Sequence, residues 1–398
     1  MNIQESLHAV AQRHPDRPAI ESISSVWSYR QVHAASRACA GHLRALQAQS
    51  GFKTAAILAN RSPSLPIQVL ACLQAGIPFA ILDSAYPDAH LGRMLDILPE
   101  PLLLEPESRG DGTGQRLHDS RCQRASIKVD SLKAMGPAPQ TLDSPPLAAR
   151  GVAYYLFTSG STGVPKCIET PAEPLGHFLD WYAHTFPSRP GTRYAMLSGL
   201  SHDPIFRDML VPLTTGGLLY IPEQGMLLQP RLLYRWLQEH RIARLHTTPP
   251  MLEVLGAGGD PTQPLLDLQH VFSGGDMLQA AQVAQLRQLA PACQVVNFYG
   301  TSETPQAVAW YLVRQGEPDP IPFGRGIDDV DLLVLDEQLK PAAQGMPGQL
   351  AVRSAYLSKG YKDDDEASRR QYLELGPADG RTTDLTGDLG YVSAHGDV

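Results

Sequence analysis

The segment from residue 154 to residue 166 has the composition of a loop that binds phosphate. It reads YYLFTSGSTGVPK, a short apolar run followed by a stretch rich in serine, threonine and glycine that ends in Pro165 and Lys166. Gly160 and Gly163 allow backbone N–H groups to turn toward an anion, and Lys166 adds a mobile positive charge. Four hydroxyl groups in the same stretch can donate to phosphate oxygens: Thr158, Ser159, Ser161 and Thr162.

We therefore interpret YYLF as a buried strand and the residues after it as a polyphosphate-binding loop. The spacing differs from the G-x-x-x-x-G-K-[ST] loop, because the two glycines are three residues apart and a proline precedes the lysine. The alternative is a flexible Ser/Gly linker, but linkers rarely follow an apolar strand directly and end in Pro-Lys.

Length and composition exclude several classes of protein. A chain of 398 residues exceeds a single core, so two or three subdomains are expected. The net charge of −8 and the scattered Lys and Arg residues argue against nucleic-acid binding. The sequence has neither an apolar run long enough to cross a membrane nor a signal-peptide core.

Five scattered cysteines form no metal-ligand spacing, and their odd number is typical of reduced thiols in a cytoplasmic protein. Cys167 follows Lys166 directly, but the alternating pattern around it favours packing in a strand over chemistry. The five are Cys39, Cys72, Cys122, Cys167 and Cys293.

Strand and helix patterns alternate along most of the chain. A strand at 54–59, a helix reaching residue 76 and a strand at 78–83 follow one another, which predicts a parallel sheet covered by helices. After residue 311 the pattern changes to short strands and turns. We predict a β/α core over residues 1–310 and a small β-rich subdomain over residues 311–398.

Five segments, in order, resemble the adenylate-forming enzymes, the superfamily of acyl-CoA synthetases, luciferases and the adenylation domains of nonribosomal peptide synthetases. They are LQAGIPFAILDSAYP (73–87), TSGSTGVPK (158–166), NFYGTSET (297–304), GQLAVRSAYLSKGY (348–361) and TGDL (386–389). The resemblance implies an α/β fold with two Rossmann-like subdomains of mostly parallel sheet, plus a small β-rich subdomain that forms a distorted barrel.

In that family a hinge and a mobile C-terminal subdomain of roughly a hundred residues follow, and this subdomain carries a lysine that contacts the substrate carboxylate. The resemblance implies that this subdomain is absent here, so we expect the isolated chain to adenylate slowly.

The resemblance also assigns a site for ATP and Mg²⁺. It implies that the Thr158–Lys166 loop binds the outer phosphates, that Tyr299 stacks on adenine and that Asn297 hydrogen-bonds its amino group. Ser302 stands where the family usually has threonine and would donate to the α-phosphate, while Glu303 would bind Mg²⁺ and Asp388 the ribose. The residues assigned to the nucleotide are Thr158, Ser159, Gly160, Ser161, Thr162, Gly163, Lys166, Gly275, Asp276, Asn297, Tyr299, Gly300, Thr301, Ser302 and Asp388, with Lys166, Ser302 and Glu303 as catalytic residues.

Asp203 aligns with the aspartate that pairs with the substrate α-ammonium in peptide-synthetase domains, although His202 and Pro204 depart from the usual context. A buried carboxylate is stabilised when a cationic partner arrives. The alternative role for Asp203 is the N-cap of a helix that starts at Pro204.

The same alignment gives a specificity pocket in which Arg207 has two interpretations. It pairs with an acidic or strongly polar substrate side chain, or it turns toward Asp208 and leaves room for a small amino acid. The pocket residues are Asp203, Pro204, Arg207, Thr247, Phe272, Gly274, Phe298, Gln306 and Ala307.

The sequence therefore predicts ATP-dependent activation of an α-amino acid, with a carrier-protein thiol as the acceptor, in secondary metabolism such as antibiotic biosynthesis. Two alternatives stay open. One is a stand-alone acyl-CoA or aryl-acid ligase, in which Asp203 only caps a helix, and the other is a module that binds nucleotide without turnover.

Overall fold

The computed structural model describes residues 1–106, 122–133, 151–158, 165–317 and 319–398. No helix in these ranges is both long enough and apolar enough to cross a membrane. The helices are α1 (Ile3–Arg13), α2 (Tyr29–Ser50), α3 (Ser64–Ala75), α4 (Asp88–Ile97), α5 (Val129–Leu132), α6 (Glu173–Thr185), α7 (Ile205–Thr215), α8 (Pro230–Glu239), α9 (Pro249–Gly258), α10 (Ala280–Leu289) and α11 (Asp365–Gln371), with a 3₁₀ turn at Gln224–Leu228.

The strands are grouped into three sheets. They are β1 (Pro18–Ser22), β2 (Val26–Ser28), β3 (Thr54–Ala59), β4 (Phe79–Asp83), β5 (Pro101–Glu105), β6 (Gln123–Ser126), β7 (Tyr154–Thr158), β8 (Lys166–Thr170), β9 (Arg193–Ala195), β10 (Leu218–Ile221), β11 (Arg244–Thr247), β12 (His270–Gly274), β13 (Gln294–Tyr299), β14 (Ala309–Val313), β15 (Arg325–Gly326), β16 (Asp331–Leu335), β17 (Gly348–Ser354), β18 (Gly360–Tyr361), β19 (Tyr372–Leu373) and β20 (Thr382–Gly390).

The first sheet has seven strands in the order β18-β8-β7-β4-β3-β5-β6. Its central strands β7, β4, β3, β5 and β6 run parallel, while β8 and β18 extend the edge in antiparallel pairs. Strand β3 is buried along its whole length, since Ile57 and Leu58 point into different apolar clusters on its two faces. The predicted βαβ order and parallel sheet are confirmed.

The second sheet has nine strands in the order β15-β14-β13-β12-β11-β9-β10-β1-β2. The six strands from β13 to β1 in this order run parallel, and antiparallel strands close both edges. The carboxyl ends of parallel strands meet at one edge, so Thr247, Gly274 and Tyr299 lie side by side. Ligands of open α/β sheets bind at this edge.

The third sheet is antiparallel, with four strands in the order β16-β17-β20-β19. It is an open sheet in the described part of the chain, so the expected distorted barrel is not found. The boundary predicted at residue 310 falls inside β14, because β14 and β15 continue the nine-stranded sheet and β18 joins the seven-stranded one. The antiparallel sheet begins with β16, and β18 returns to the seven-stranded sheet.

Cys39, Cys72, Cys167 and Cys293 are buried thiols. Burial raises the pKa of Cys167 to about 12. The thiol therefore stays protonated near neutral pH, which agrees with packing rather than chemistry.

Helix α7 is buried along almost its entire length and ends at Gly216, whose φ of 83° is left-handed. Tyr29, at the start of α2, fixes this end from outside the helix. Its hydroxyl lies 2.9 Å from the Pro212 carbonyl oxygen and 2.7 Å from that of Gly217. Burial raises the pKa of Tyr29 far above its ordinary value, so the hydroxyl keeps the proton that it donates.

Tyr29→Phe removes this hydroxyl without changing the ring. We expect the free energy of unfolding to fall by about 1–2 kcal/mol, because the one hydroxyl proton shared between two carbonyl oxygens is lost. Urea denaturation measures the change, with Tyr391→Phe as the control because Tyr391 is exposed. Equal unfolding midpoints for wild type and Tyr29→Phe would contradict this role.

Candidate active site

A cavity of about 890 Å³ opens at the carboxyl ends of β11, β12 and β13. The start of α7 forms one wall, and the loops after β12 and β13 form others. Its volume lies in the range of small-molecule sites. The residues at its two ends differ in chemistry and are described in turn.

One end of the cavity is built around Asp203, which is buried just before α7. Its Oδ1 accepts a hydrogen bond of 2.7 Å from Nε2 of Gln306, and its Oδ2 accepts one from the Gln306 backbone N–H. Helix α7 instead has Pro204 at its cap position and no side-chain cap. The alternative role of Asp203 as a helix N-cap is therefore wrong.

Burial raises the pKa of Asp203 to about 6, and the Arg207 guanidinium and the Gln306 donors oppose this rise. The carboxylate has further lone pairs for additional donors. Oε1 of Gln306 is buried and has no hydrogen-bond partner among the described residues. Asp203 lies on the cavity wall, and its carboxylate keeps lone pairs that a cation in the cavity can use.

Seven of the nine predicted pocket residues line the cavity: Asp203, Pro204, Arg207, Thr247, Gly274, Phe298 and Gln306. Phe272 and Ala307 do not. Phe272 is fully buried behind Phe298, with ring centroids 5.3 Å apart, and also packs on Tyr182. Phe272 supports the wall rather than forms it, because β12 turns its side chain into the aromatic core.

The opposite end of the cavity is lined by Tyr299 and Asp388, which come from two different sheets. The Tyr299 hydroxyl donates to Oδ2 of Asp388 at 2.8 Å, and the Tyr299 ring lies 4.5 Å from that of Phe323. The predicted nucleotide residues found on this wall are Gly275, Asp276, Tyr299, Gly300, Thr301, Ser302 and Asp388.

Asn297 does not reach this wall, contrary to its predicted contact with adenine. It is fully buried in β13, and its amide nitrogen donates to the carbonyl oxygens of Ile321 and Pro322 at 3.3 and 2.9 Å. Asn297 therefore anchors the segment that carries Phe323. The sequence prediction gave Phe323 no role. The feature of the sequence that could have indicated one is the position of this aromatic residue between Pro322 and Gly324.

Lys166 and Glu303 lie together outside the cavity wall, joined by Tyr361. The Tyr361 hydroxyl donates to Oε1 of Glu303 at 2.7 Å, and Nζ of Lys166 lies 4.9 Å from the centre of the Tyr361 ring. Thr158 pairs with Lys166 across β7 and β8. Ser159, Gly160, Ser161, Thr162 and Gly163 lie outside the described residues.

Sequence reasoning assigned no role to Tyr361, although it ends one of the five motifs. Asp384 was also missed. Burial raises its pKa to about 7, the Gln371 amide opposes the rise, and the carboxylates of Glu303 and Asp388 add to it. The carboxylates of Glu303 and Asp388 thus favour the protonated form of Asp384, and a cation beside Glu303 would offset their charge.

Glu303 is the residue predicted to hold Mg²⁺. The described residues contain no group of three His, Cys, Asp or Glu side chains suited to a metal ion. Mg²⁺ commonly takes one or two carboxylates together with phosphate oxygens and waters, and a single carboxylate fits this pattern.

The comparisons with known proteins agree with this fold. Residues 7–362 match the model of the AMP-binding enzymes, and the chain belongs to this family of adenylate-forming enzymes. It is 29% identical to L-2-aminoadipate reductase of Schizosaccharomyces pombe over 95% of this chain and 29% of that protein. It is 25% identical to D-alanine–D-alanyl carrier protein ligase of Bacillus velezensis over 98% of this chain and 77% of that protein.

Among solved structures, holo-PA1221, an NRPS protein containing adenylation and PCP domains, superposes with a TM-score of 0.84 at 23% identity, covering 99% of this chain and 67% of that one. This likeness confirms the predicted mixed α/β fold of an adenylation domain. The chain spans about three tenths of the length of the aminoadipate reductases that it matches.

Tyr299→Phe tests the nucleotide end of the cavity. We expect the Kd for AMP to rise about five- to tenfold, because Asp388 loses the hydroxyl that orients it, which is a loss of about 1 kcal/mol. Isothermal titration measures the change. Tyr311→Phe is the matched control, because Tyr311 lies on the neighbouring strand β14 and its hydroxyl donates to Glu317. Unchanged affinity in Tyr299→Phe would contradict the assignment.

Proposed function

We propose that this chain activates an α-amino acid as its aminoacyl adenylate. An oxygen of the substrate carboxylate attacks the α-phosphorus of ATP, the bond between the α-phosphorus and the bridging oxygen breaks, and pyrophosphate leaves. The resulting acyl-phosphate anhydride then reacts with a carrier-protein thiol, which forms a thioester and releases AMP. In this proposal the chain is a ligase of the nonribosomal peptide synthetase type.

The observation that carries this proposal is the buried Asp203 carboxylate on the cavity wall. It offers its remaining lone pairs to the α-ammonium of an amino acid in the cavity. A simple carboxylic acid would leave the buried Asp203 carboxylate without a cationic partner from the ligand, which costs free energy. The relatives named above are called after α-amino acids, 2-aminoadipate and D-alanine, which supports the same substrate class.

The carrier-protein step has separate support. The Bacillus relative is named as a ligase of a carrier protein, and holo-PA1221 contains a PCP domain beside its adenylation domain. These features belong to those proteins, and we extend them to this chain as part of the proposal.

We assign the nucleotide-binding residues their roles from their positions around the cavity. ATP lies with its ribose at Asp388 and its adenine beside Tyr299 and Phe323, and Ser302 faces the α-phosphate. The Thr158–Lys166 loop binds the outer phosphates, including the hydroxyls that lie outside the described residues. Glu303 would hold Mg²⁺, which when bound would supply positive charge to the leaving pyrophosphate.

ATP–pyrophosphate exchange with all proteinogenic amino acids and their deamino analogues tests the reaction. We expect exchange with at least one amino acid at a rate at least ten times that of its deamino analogue. Equal or faster exchange with the deamino acids would favour the acid-ligase alternative. ATP binding without any exchange would contradict an activating enzyme and favour a nucleotide-binding module.

Asp203 makes amino-acid binding depend on pH. Its folded pKa of about 6 lies above the ordinary value near 4, so this group's contribution to stability falls as pH rises from about 4 to about 6. The ammonium binds only the ionised carboxylate, so amino-acid affinity should rise with pH over the same range. We expect affinity at pH 5 to be about tenfold lower than at pH 7.

Isothermal titration at several pH values measures this dependence. The deamino analogue and the Asp203→Asn variant serve as controls, because both lack the charge pair while Asp384 and the nucleotide titrate as before. A profile for the amino acid that matches both controls would exclude Asp203 as the titrating group.

A further inference from the structure

Arg207 is a buried guanidinium on the cavity wall without a hydrogen-bond partner in the described part of the chain. Only 6% of the residue is exposed, and its Nε atom is fully enclosed with nothing to accept its proton. Burial lowers the pKa of Arg207, and the nearby carboxylates of Asp203 and Asp208 oppose that change. A buried cation of this kind is stabilised when an anion binds it.

The two nearby carboxylates are engaged elsewhere. Asp203 accepts both of its hydrogen bonds from Gln306. Asp208 accepts one from the Ser198 backbone N–H at 2.8 Å and lies 3.1 Å from Nδ1 of His246. They supply negative potential to Arg207 without saturating its donors.

Two aromatic rings hold the guanidinium in position. Its central carbon lies 5.9 Å from the centre of the Phe178 ring and 5.6 Å from that of Phe298. A guanidinium over an aromatic face keeps its N–H groups in their own plane, free to bind a carboxylate through two parallel hydrogen bonds.

Two other arginines, the buried Arg244 and the half-buried Arg61, show what a structural guanidinium does in this protein. Arg244 donates to the carbonyl oxygens of Phe186 and Pro187 at 2.6 and 2.7 Å. Arg61 likewise donates to backbone carbonyls of the segment after β9. Arg207 differs from both, because it faces the cavity and makes no such bond.

We propose that the substrate carries a second carboxylate in its side chain and that Arg207 binds it, so that the amino acid is dicarboxylic. This inference rests on the proposed amino-acid activation. Asp203 takes the α-ammonium, and Arg207, four residues further along the chain, takes the side-chain carboxylate. A neutral side chain would leave the buried guanidinium unpaired, which gives selectivity against it.

The test uses stable sulfamoyladenosine analogues of the aminoacyl adenylate, which bind without turnover. Analogues of aspartate, glutamate and 2-aminoadipate are titrated against those of asparagine, glutamine and norleucine. We expect at least one dicarboxylic analogue to bind about 100-fold more tightly than its neutral counterpart. Arg207→Met should abolish this preference for the dicarboxylic analogue, and Arg207→Lys should retain part of the preference.

Arg244→Met is the matched control, since it also removes a buried guanidinium. We expect it to lower the melting temperature, because two carbonyls lose donors, and to leave the ratio of affinities unchanged. Arg207→Met should keep or raise the melting temperature, because no hydrogen bond to the described residues is lost. A lower melting temperature for Arg207→Met with an unchanged ratio would assign Arg207 a purely structural role and overturn the inference.

The same titrations separate this inference from the function on which it rests. Tighter binding of neutral analogues than of dicarboxylic ones would overturn the Arg207 assignment and leave amino-acid activation intact. The deamino analogue of glutamate, glutaryl sulfamoyladenosine, reports on the α-amino group alone. Equal affinity for it and for the glutamate analogue would overturn amino-acid recognition itself, and the dicarboxylic assignment with it.

Discussion

The buried contact between Asp203 and Gln306 holds the two halves of the site together. The two residues are 103 positions apart in the chain, one just before α7 and one in the loop after β13. Gln306 has a left-handed backbone with φ of 69°, which is unfavourable for a non-glycine residue, and its N–H and amide both donate to Asp203. This pair therefore fixes the loop that carries Ser302 and Glu303, so the groups proposed for amino acid and for nucleotide share one anchor.

The sheets set the remaining geometry. Parallel strands bring the ends of β11, β12 and β13 to one edge, where glycines leave space and backbone for a ligand. The small antiparallel sheet adds Asp388 to this edge through its hydrogen bond with Tyr299. Neither sheet forms the cavity alone. Arg207 and Asp203 line one part of its wall, and Asp388 lines another part together with Tyr299.

Patterns local in sequence predicted most of the fold and many of the wall residues. Alternating strands and helices gave the parallel sheets, and ordered motifs identified Tyr299, Asp388 and Asp203 as site residues. Tertiary contacts place two of the predicted residues outside the cavity lining. The Asn297 amide turns to carbonyls 24 and 25 residues later, and the Phe272 ring turns into the core. The Tyr361 contact with Glu303 spans 58 residues, and no periodicity within either segment encodes it.

The central claim is that Asp203 recognises the substrate α-ammonium. The most direct measurement is a thermodynamic cycle by isothermal titration. It combines wild type and Asp203→Asn with an aminoacyl sulfamoyladenosine and its deamino analogue. The coupling free energy isolates the interaction between the carboxylate and the amino group from every other contact. We predict a coupling of about 2–5 kcal/mol, as for a buried charge pair that loses one partner. A coupling within about 0.5 kcal/mol of zero would contradict amino-acid recognition at this site.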